Sequence, residues 1–123
     1  MDKVRTEYFR RLLLTELRRH ARLVGDDQAA AIDAADDGAK ESADLSLRDV
    51  IEELALKLGE RESQMVADVD QALLRMDEGS YGLCVNCGKT IDEQRLEAVP
   101  WTPYCLKHAQ RLEVAASSRT PTL

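Results

Sequence analysis

The fold of this chain is decided by residues 81–112, YGLCVNCGKTIDEQRLEAVPWTPYCLKHAQRL. Cys84 and Cys87 are separated by two residues, and Cys105 and His108 repeat that spacing after seventeen intervening residues. Two such pairs are typical of a structural zinc site, because each pair sits on a short turn and the segment between them brings the turns together. The spacing predicts that these four side chains hold one structural zinc ion.

An alternative interpretation is three buried, reduced cysteines and an ordinary surface histidine. A disulfide between Cys84 and Cys87 would close a very small loop and leave Cys105 without a partner, whereas zinc uses every cysteine of the chain. Three thiolates and a neutral imidazole form an accepted structural set with a net charge of about −1. Four protein ligands leave no coordination position for water, which disfavours catalysis by the metal.

The composition of the 123 residues predicts long polar helices rather than a large round core. Charged residues make up 33% of the chain and aromatic residues 4%, and the three prolines all lie at or after position 100. The N-terminus is charged where a signal peptide would be apolar, and no apolar run approaches the length of a membrane span. Reduced cysteines without a targeting segment lead us to expect a cytoplasmic protein.

The net charge of −6 is unevenly distributed. Residues 1–25 carry seven basic and three acidic side chains, whereas residues 26–49 carry two and eight, and residues 50–80 carry three and eight. Residues 81–123 are nearly balanced. A duplex-binding protein is expected to present a basic stripe, so this pattern argues against sequence-specific DNA binding. It favours a protein, a metal or another cationic partner for the middle of the chain.

Two long helices are predicted before the cysteines. Residues 3–24 carry apolar side chains at steps of three and four, and alanines extend this helix to about residue 35. Residues 46–78 carry a second stripe, with Ser46 and Asp49 resembling a capping box and Gly79 ending the helix. Gly59 interrupts the stripe at a cost of about 1 kcal/mol relative to alanine. A helix over 46–78 is about 50 Å long.

The predicted fold class is therefore mainly α, a long antiparallel coiled-coil hairpin joined to a small zinc-finger module with a C-terminal helix. We expect the hairpin over residues 1–80, an acidic tip near 36–46 far from the metal, the zinc-finger module over 81–115, and a disordered tail over 116–123. A short helix over about 103–115 places Cys105 and His108 on one face. The core of the zinc module is predicted from its apolar residues, which are Ile91, Leu96, Val99, Pro100 and Trp101.

Residues 81–108 resemble the signature of the DksA/TraR family of bacterial transcription factors, in which Y/F-G-x-C-x-x-C-G is followed by I, R-L-x-A-x-P and a second C-x-x-C. The matching residues, in order, are Tyr81, Gly82, Cys84, Cys87, Gly88, Ile91, Arg95, Leu96, Ala98, Pro100 and Cys105. The stretch EYFRRLLL is similar to the first helix of the family, so the resemblance covers about residues 5–115. It implies direct binding to RNA polymerase through the secondary channel, with an acidic tip near the active site and altered open-complex stability.

The tip and a nucleotide site depart from the family pattern. The tip pattern D-x-x-D-x-A falls on Glu41, Asp44 and Ser46, so both acids are kept and the alanine is replaced; a solvated acidic turn in which Asp44 caps the second helix is the alternative. Some family members bind guanosine tetraphosphate together with polymerase through basic residues. The positions that match those residues hold Asp68, Val99 and Ala109, none of which is a cation, so we expect that the protein does not strengthen the response of polymerase to that nucleotide through this site.

Three functions remain open at this stage. The first is a monomeric, non-enzymatic transcription regulator that binds core RNA polymerase. The second is a Gre-like factor whose tip carboxylates help polymerase to cleave transcripts, although Gre factors lack this zinc module. The third is a zinc-stabilised adaptor that binds another protein, or nucleic acid, through its helices. None of the three requires a membrane.

Overall fold

The computed structural model describes residues 1–36 and 40–118, and for residues 40–46 and 117–118 it describes the backbone only. This part of the chain forms six α-helices: α1 (Lys3–Val24), α2 (Asp26–Asp36), α3 (Lys40–Lys57), α4 (Glu60–Glu78), α5 (Glu93–Ala98) and α6 (Leu106–Ser118). Its only bridge between extended segments joins Leu83 to Thr90 in antiparallel orientation. None of the helices in the described ranges has both the length and the apolar character needed to cross a bilayer.

The first helix begins where the sequence predicts but ends at Val24, before the predicted extension to about residue 35. Asp2 caps it by accepting a hydrogen bond of 2.8 Å from the Arg5 backbone N–H, which satisfies one of the free donors of the first turn. The helix ends at Gly25, whose N–H donates to the Ala21 carbonyl at 3.1 Å. The next residues, Asp26 and Asp27, start α2 with two negative charges at the positive end of its dipole. The chain therefore stops one helix and starts another within a single residue.

A second break divides the predicted helix over residues 46–78. Its first half, α3, begins at Lys40, so Ser46 lies inside the helix and is not its cap. Gly59, in an extended conformation, is the N-cap of α4, and Glu60 and Glu62 occupy the first turn. Gly79 ends α4 as predicted, in the left-handed region at φ 78° and with its N–H directed at the Arg75 and Met76 carbonyls.

Both breaks are sharp turns, because ion pairs join residues that a straight helix would hold far apart. Arg18 in α1 contacts Asp33 of α2 at 2.5 Å and Asp36 at 3.2 Å. Arg48 in α3 contacts Asp70 of α4 at 3.8 Å. Helix α2 therefore runs back along α1, and α4 runs back along α3. Consecutive helices pack against each other and α4 closes against α1, which gives an antiparallel four-helix bundle.

The bundle has one continuous apolar core that joins the zinc-finger module. Its buried side chains come from all four helices, from the segment after α4 and from α5. They are Phe9, Leu13, Leu14, Leu17, Ala21, Ile32, Ala35, Leu47, Ile51, Leu54, Val66, Val69, Ala72, Leu73, Tyr81, Cys84, Ile91 and Leu96. The apolar stripes predicted from the sequence are thus buried, but in a four-helix core rather than between two long arms.

The predicted fold class is confirmed as mainly α, with antiparallel helices and a small zinc-finger module that ends in a helix. Within this class the described helices double back on themselves instead of forming two straight arms, and the acidic tip near 36–46 stays a prediction. Arg10, near the start of α1, contacts Asp36 at 2.9 Å, so the end of α2 lies toward the zinc-finger end of the bundle. The physical reason is that Gly25 and Gly59 let the outer halves fold back, where they share one core and form Arg–Asp pairs. Helix α6 also runs into the predicted tail as far as Ser118, while residues 119–123 lie outside the described residues.

Candidate metal centre

The first pair of ligands lies on a compact turn between α4 and α5. The Cys84 N–H donates to the Lys89 carbonyl and the Gly88 N–H donates to the Cys84 carbonyl, both at 2.8 Å. Gly82 and Gly88 have φ values of 88° and 73°, a region that favours glycine because it lacks a Cβ. Both glycines belong to the motif quoted from the sequence, and the structure shows that they fold the turn around Cys84 and Cys87.

The second pair lies at the start of α6. The Ala109 N–H donates to the Cys105 carbonyl at 2.9 Å, which is a regular helical bond and places Cys105 and His108 one turn apart. The two pairs are tied together through the backbone, because the Val85 N–H donates to the Pro103 carbonyl at 2.9 Å. The fold thereby brings together all four residues that the spacing predicted.

The four ligand atoms form a cluster of the size that a zinc ion requires. All of them lie within 4.8 Å of one another. Cys105 Sγ is 3.1 Å from His108 Nδ1, Cys84 Sγ is 3.7 Å from the same nitrogen, and Cys87 Sγ is 4.0 Å from Cys105 Sγ. A tetrahedral Zn²⁺ with Zn–S bonds of about 2.3 Å needs S···S separations of about 3.8 Å. The residues fit one structural zinc, and all three cysteines are free thiols rather than disulfides.

The protein environment shifts the pKa values of Cys84 and Cys87 in opposite directions. Burial opposes ionisation of the Cys84 thiol, but hydrogen bonds from the backbone N–H groups of Cys105, Cys87 and Asn86 outweigh it and lower its pKa to about 6. At Cys87 a backbone N–H from Lys89 favours the thiolate, whereas burial and the neighbouring Cys84 and Cys105 sulfurs disfavour it, so its pKa is raised. Crowded thiolates are stabilised by a bound cation, which is the chemistry that zinc supplies here.

Supporting contacts around the metal centre were missed by the sequence analysis. In the sequence Arg95 stands out only as part of the motif, but its Nε donates to the Tyr104 carbonyl at 3.0 Å and its NH2 group to Thr102 Oγ1 at 3.3 Å. Thr102 is buried, and the Tyr81 hydroxyl donates to the Pro100 carbonyl at 2.7 Å. These bonds hold the segment that leads into Cys105. The sequence shows an arginine and a tyrosine at fixed distances from the cysteines. It does not indicate which backbone carbonyl groups their side chains bind.

The small core predicted for the module is confirmed in three of its five residues. Ile91, Leu96 and Pro100 are buried, whereas Val99 and Trp101 are half-buried.

The predicted tip residues are described only in their backbone. The backbones of Glu41, Asp44 and Ser46 lie in α3, and their side chains lie outside the described residues. The roles assigned to the three tip residues therefore stay predictions.

Comparison with known proteins also indicates a zinc-finger protein. Residues 79–113 match the prokaryotic dksA/traR C4-type zinc finger, with His108 here in place of the fourth cysteine. An uncharacterised protein of Aquifex aeolicus is 39% identical over 71 residues, which are 58% of this chain and 49% of that protein. The RNA polymerase-binding transcription factor DksA of Caulobacter vibrioides is 28% identical over 116 residues, which are 92% of this chain and 79% of that protein.

A solved structure shares the fold. Transcription factor DksA2 from Pseudomonas aeruginosa superposes with a TM-score of 0.60 at 22% identity, covering 94% of this chain and 88% of DksA2. The fold and the metal centre thus define a small helical protein stabilised by one zinc finger. The chain is similar to the DksA/TraR zinc-finger proteins, both in the zinc finger at residues 79–113 and along most of its helical part.

Proposed function

We propose that this protein is a non-enzymatic transcription regulator that binds bacterial core RNA polymerase directly. The observation that carries the proposal is that similarity to the Caulobacter protein, named as an RNA polymerase-binding transcription factor, extends over 92% of this chain and is not confined to the zinc finger. The helical part and the metal-bound module are therefore retained together. A polymerase partner places the protein in the cytoplasm, and the expectations of a monomer without sequence-specific DNA binding belong to the same proposal.

The finer part of the proposal concerns the mechanism. The protein enters the secondary channel of the polymerase and brings Glu41 and Asp44 toward the active site, which changes the stability of open complexes. The supporting feature is the acidic character of the segment between α1 and α4, which carries eight acidic and two basic side chains over residues 26–49. Carboxylates at this position would act on the metal ions and basic groups of the polymerase by electrostatics.

Competition for core polymerase tests the proposal. Wild-type protein is expected to displace a known secondary-channel factor from core polymerase and to change the lifetime of open complexes at sensitive promoters. Asp44→Asn is expected to keep binding but lose the effect on open complexes. Asp27→Asn, an exposed aspartate in the first turn of α2, is the matched control and should behave as wild type. Failure of the wild-type protein to bind core polymerase would refute the proposal.

A zinc-stabilised adaptor remains the second candidate, because α6 presents apolar side chains to solvent. Leu106, Leu112 and Val114 are all exposed, and they offer apolar surface that another protein could cover. The pull-down of core polymerase separates the two functions. A cleavage assay on backtracked complexes separates the regulator from the Gre-like alternative, which predicts shortened transcripts.

A further inference from the structure

A small cavity with an apolar floor lies between α1, α3 and α4. It has a volume of about 170 Å³, and the buried side chains of Leu47, Ile51 and Leu73 form its floor. Met76 adds a flexible apolar side chain that adapts its shape to what it contacts. An apolar cavity of about 150 Å³ accepts a molecule as large as benzene. The cavity is therefore large enough for a ligand with a short apolar side chain, and its lining does not include a zinc ligand.

Charged side chains surround this floor. Among the described residues that line the cavity, Arg10 and Arg48 supply two positive charges, and Asp70 and Asp77 supply two negative charges. Of the two arginines, Arg10 already donates a hydrogen bond of 2.9 Å to Asp36. Charges that balance in this way favour neither a simple anion nor a simple cation. They favour a ligand that carries one charge of each sign.

The contact between Arg48 and Asp70 indicates how such a ligand would bind. The guanidinium nitrogen and the carboxylate oxygen are 3.8 Å apart, whereas a charge-assisted hydrogen bond measures about 2.7–2.9 Å. The two groups thus attract each other without a direct hydrogen bond. Their side chains are 37% and 20% exposed, so water screens both charges less than it would on an open surface. One long contact leaves donors on the guanidinium and acceptor sites on the carboxylate for a ligand.

An α-amino acid carries its two charges at a similar spacing. Its ammonium nitrogen and its carboxylate carbon are bonded to one Cα atom and lie about 2.5 Å apart by standard geometry. Beside this ion pair, the ligand carboxylate accepts hydrogen bonds from Arg48 and the ligand ammonium group donates to Asp70. The four charges then alternate in sign, and the side chain of the ligand extends over the apolar floor.

We propose that this cavity binds a free α-amino acid with an aliphatic side chain, held at its carboxylate by Arg48 and at its ammonium group by Asp70. The floor selects an apolar side chain, and the volume of the cavity limits the size of that side chain. The proposal goes beyond the proposed function and does not depend on it, because it rests on the lining of the cavity and not on a polymerase partner.

A second cavity gives the ligand a route to the site. It has a volume of about 590 Å³, and its lining includes Gly79 and Tyr81, which do not line the first cavity. Thr6, Met76 and Asp77 line both cavities, so the two adjoin. A ligand in the smaller cavity would contact three helices of the bundle. Binding should therefore stabilise the folded chain and raise the urea concentration at which it unfolds.

The first test uses the full chain with its zinc ion and L-leucine, with binding measured by isothermal titration calorimetry. A ligand of this size is expected to reach half-saturation below about 1 mM. Two analogues each lack one of the charges, since leucinamide has no carboxylate and 4-methylpentanoate has no ammonium group. Each is expected to bind at least about tenfold more weakly than leucine, because a hydrogen bond to a charged group is lost.

A series of amino acids tests the apolar floor. From alanine through 2-aminobutyrate to norvaline, the affinity should rise about fourfold for each added methylene, because each methylene leaves water for apolar surroundings. Tryptophan should bind more weakly than leucine, because its side chain is too large for the cavity. Amide NMR spectra locate the site. Addition of leucine should shift the signals of lining residues such as Ile51 and Leu73, and should leave those of Cys105 and Lys107 in place.

Two variants separate recognition of the ligand from a structural role. Arg48→Gln should abolish the preference for leucine over leucinamide, and Asp70→Asn should abolish the preference for leucine over 4-methylpentanoate. A residue that only supports the fold would change the affinity for all three ligands alike. Arg61→Gln and Asp49→Asn are the matched controls, because both side chains are exposed and neither lines the cavity. Both controls should bind leucine as the wild type does.

Saturable binding with these preferences, and the loss of each preference in its matching variant, supports the proposal. No binding of leucine up to about 10 mM overturns it. Equal affinity of the wild type for leucine and both analogues also overturns it, because apolar contact alone would then explain the binding. Amide shifts confined to another part of the chain have the same meaning. If a variant loses helical structure by circular dichroism, the ligand series and the amide shifts of the wild type decide.

Discussion

The rings of Phe9 and Tyr81 lie with their centroids 5.8 Å apart and their planes at 46°, which joins the first helix of the bundle to the turn that precedes the zinc ligands. Both side chains are buried, and Phe9 is fully so. Two surface contacts flank this ring pair. Arg5 forms an ion pair with Glu93, and the Tyr8 hydroxyl donates a hydrogen bond to Glu97. The helical bundle and the metal-bound module therefore share one core and are expected to unfold together.

Removing the Phe9 ring tests that coupling. Phe9→Ala should lower the free energy of unfolding by about 3–5 kcal/mol, because it leaves a cavity where the bundle meets the module. Urea unfolding followed by circular dichroism gives the value. Val4→Ala, on the same helix at an exposed position, is the control and should change stability by less than about 0.5 kcal/mol. A loss below about 1 kcal/mol for Phe9→Ala would mean that the two parts are not packed as described.

Tyr81→Phe removes the hydroxyl that donates to the Pro100 carbonyl. We expect a loss of about 1–3 kcal/mol, because a buried carbonyl is left without its partner. Tyr8→Phe is the matched control, since the Tyr8 hydroxyl donates to an exposed Glu97 at 3.3 Å and its loss should cost little. Equal effects of the two changes on urea unfolding would contradict the role of the buried bond.

Tyr81 should also make the free energy of unfolding depend on pH. Burial raises the pKa of its phenol above the usual value of 10.0, with the charge of Arg75 opposing the shift. A group whose pKa is higher in the folded than in the unfolded chain stabilises the fold. This stabilisation is fully present below the pKa of the unfolded chain and is lost as the pH rises through the pKa of the folded chain. The stability of the wild type should thus fall as the pH rises above about 10, and Tyr81→Phe should show a weaker fall over the same range. Parallel curves in pH-dependent urea unfolding would contradict this.

Zinc removal should unfold the module. Purified protein is expected to contain one zinc ion per chain by metal analysis, and a strong chelator should release it with loss of structure around α5 and α6, because a module this small is stabilised by its metal. Affinity should rise with pH through the neutral range, since the raised pKa of Cys87 makes zinc displace a proton there. Cys87→Ser should lose the metal. Retention of a folded module without metal, seen in amide NMR spectra, would contradict the assignment.

The fourth ligand can be tested by two substitutions at one position. His108→Cys should keep one zinc ion with four thiolates, because four cysteines are as well accepted a structural set as three cysteines with a histidine. His108→Ala should weaken zinc binding by at least about tenfold, since it leaves three ligands and an open coordination position. Competition with a chromogenic chelator measures both. Unchanged affinity in His108→Ala would show that the imidazole 3.1 Å from Cys105 Sγ is not a ligand.

No synergy with guanosine tetraphosphate is expected. The three positions that match the basic residues of nucleotide-binding relatives hold Asp68, Val99 and Ala109, and Asp68 accepts a hydrogen bond from Gln64 at 3.0 Å. An anionic nucleotide needs cations or backbone donors at such a site. Transcription assays with polymerase should show the same response to the nucleotide with and without the protein. A strong joint effect would refute this prediction.

The ligands of the metal centre could be predicted because the two residues of each pair lie close together in the sequence. A C-x2-C pair, a C-x2-H pair and the glycines beside them fix turns of a few residues, and these turns place the ligands whatever the rest of the chain does. The structure adds Arg95, Thr102 and Tyr81, whose hydrogen bonds go mainly to backbone carbonyls. Every residue has a carbonyl, so no sequence pattern identifies which one a side chain will reach.

The helical class, the start of the first helix, Gly79 as the end of the second predicted helix and the four candidate ligands could be predicted from the sequence alone. Only the tertiary structure decided that the chain doubles back at Gly25 and Gly59. The reason is that helical periodicity specifies which side of a helix is buried but not which neighbour buries it, and the same stripes serve two long arms or four short helices. Long-range pairs such as Arg18 with Asp33 and Arg48 with Asp70 select between these arrangements.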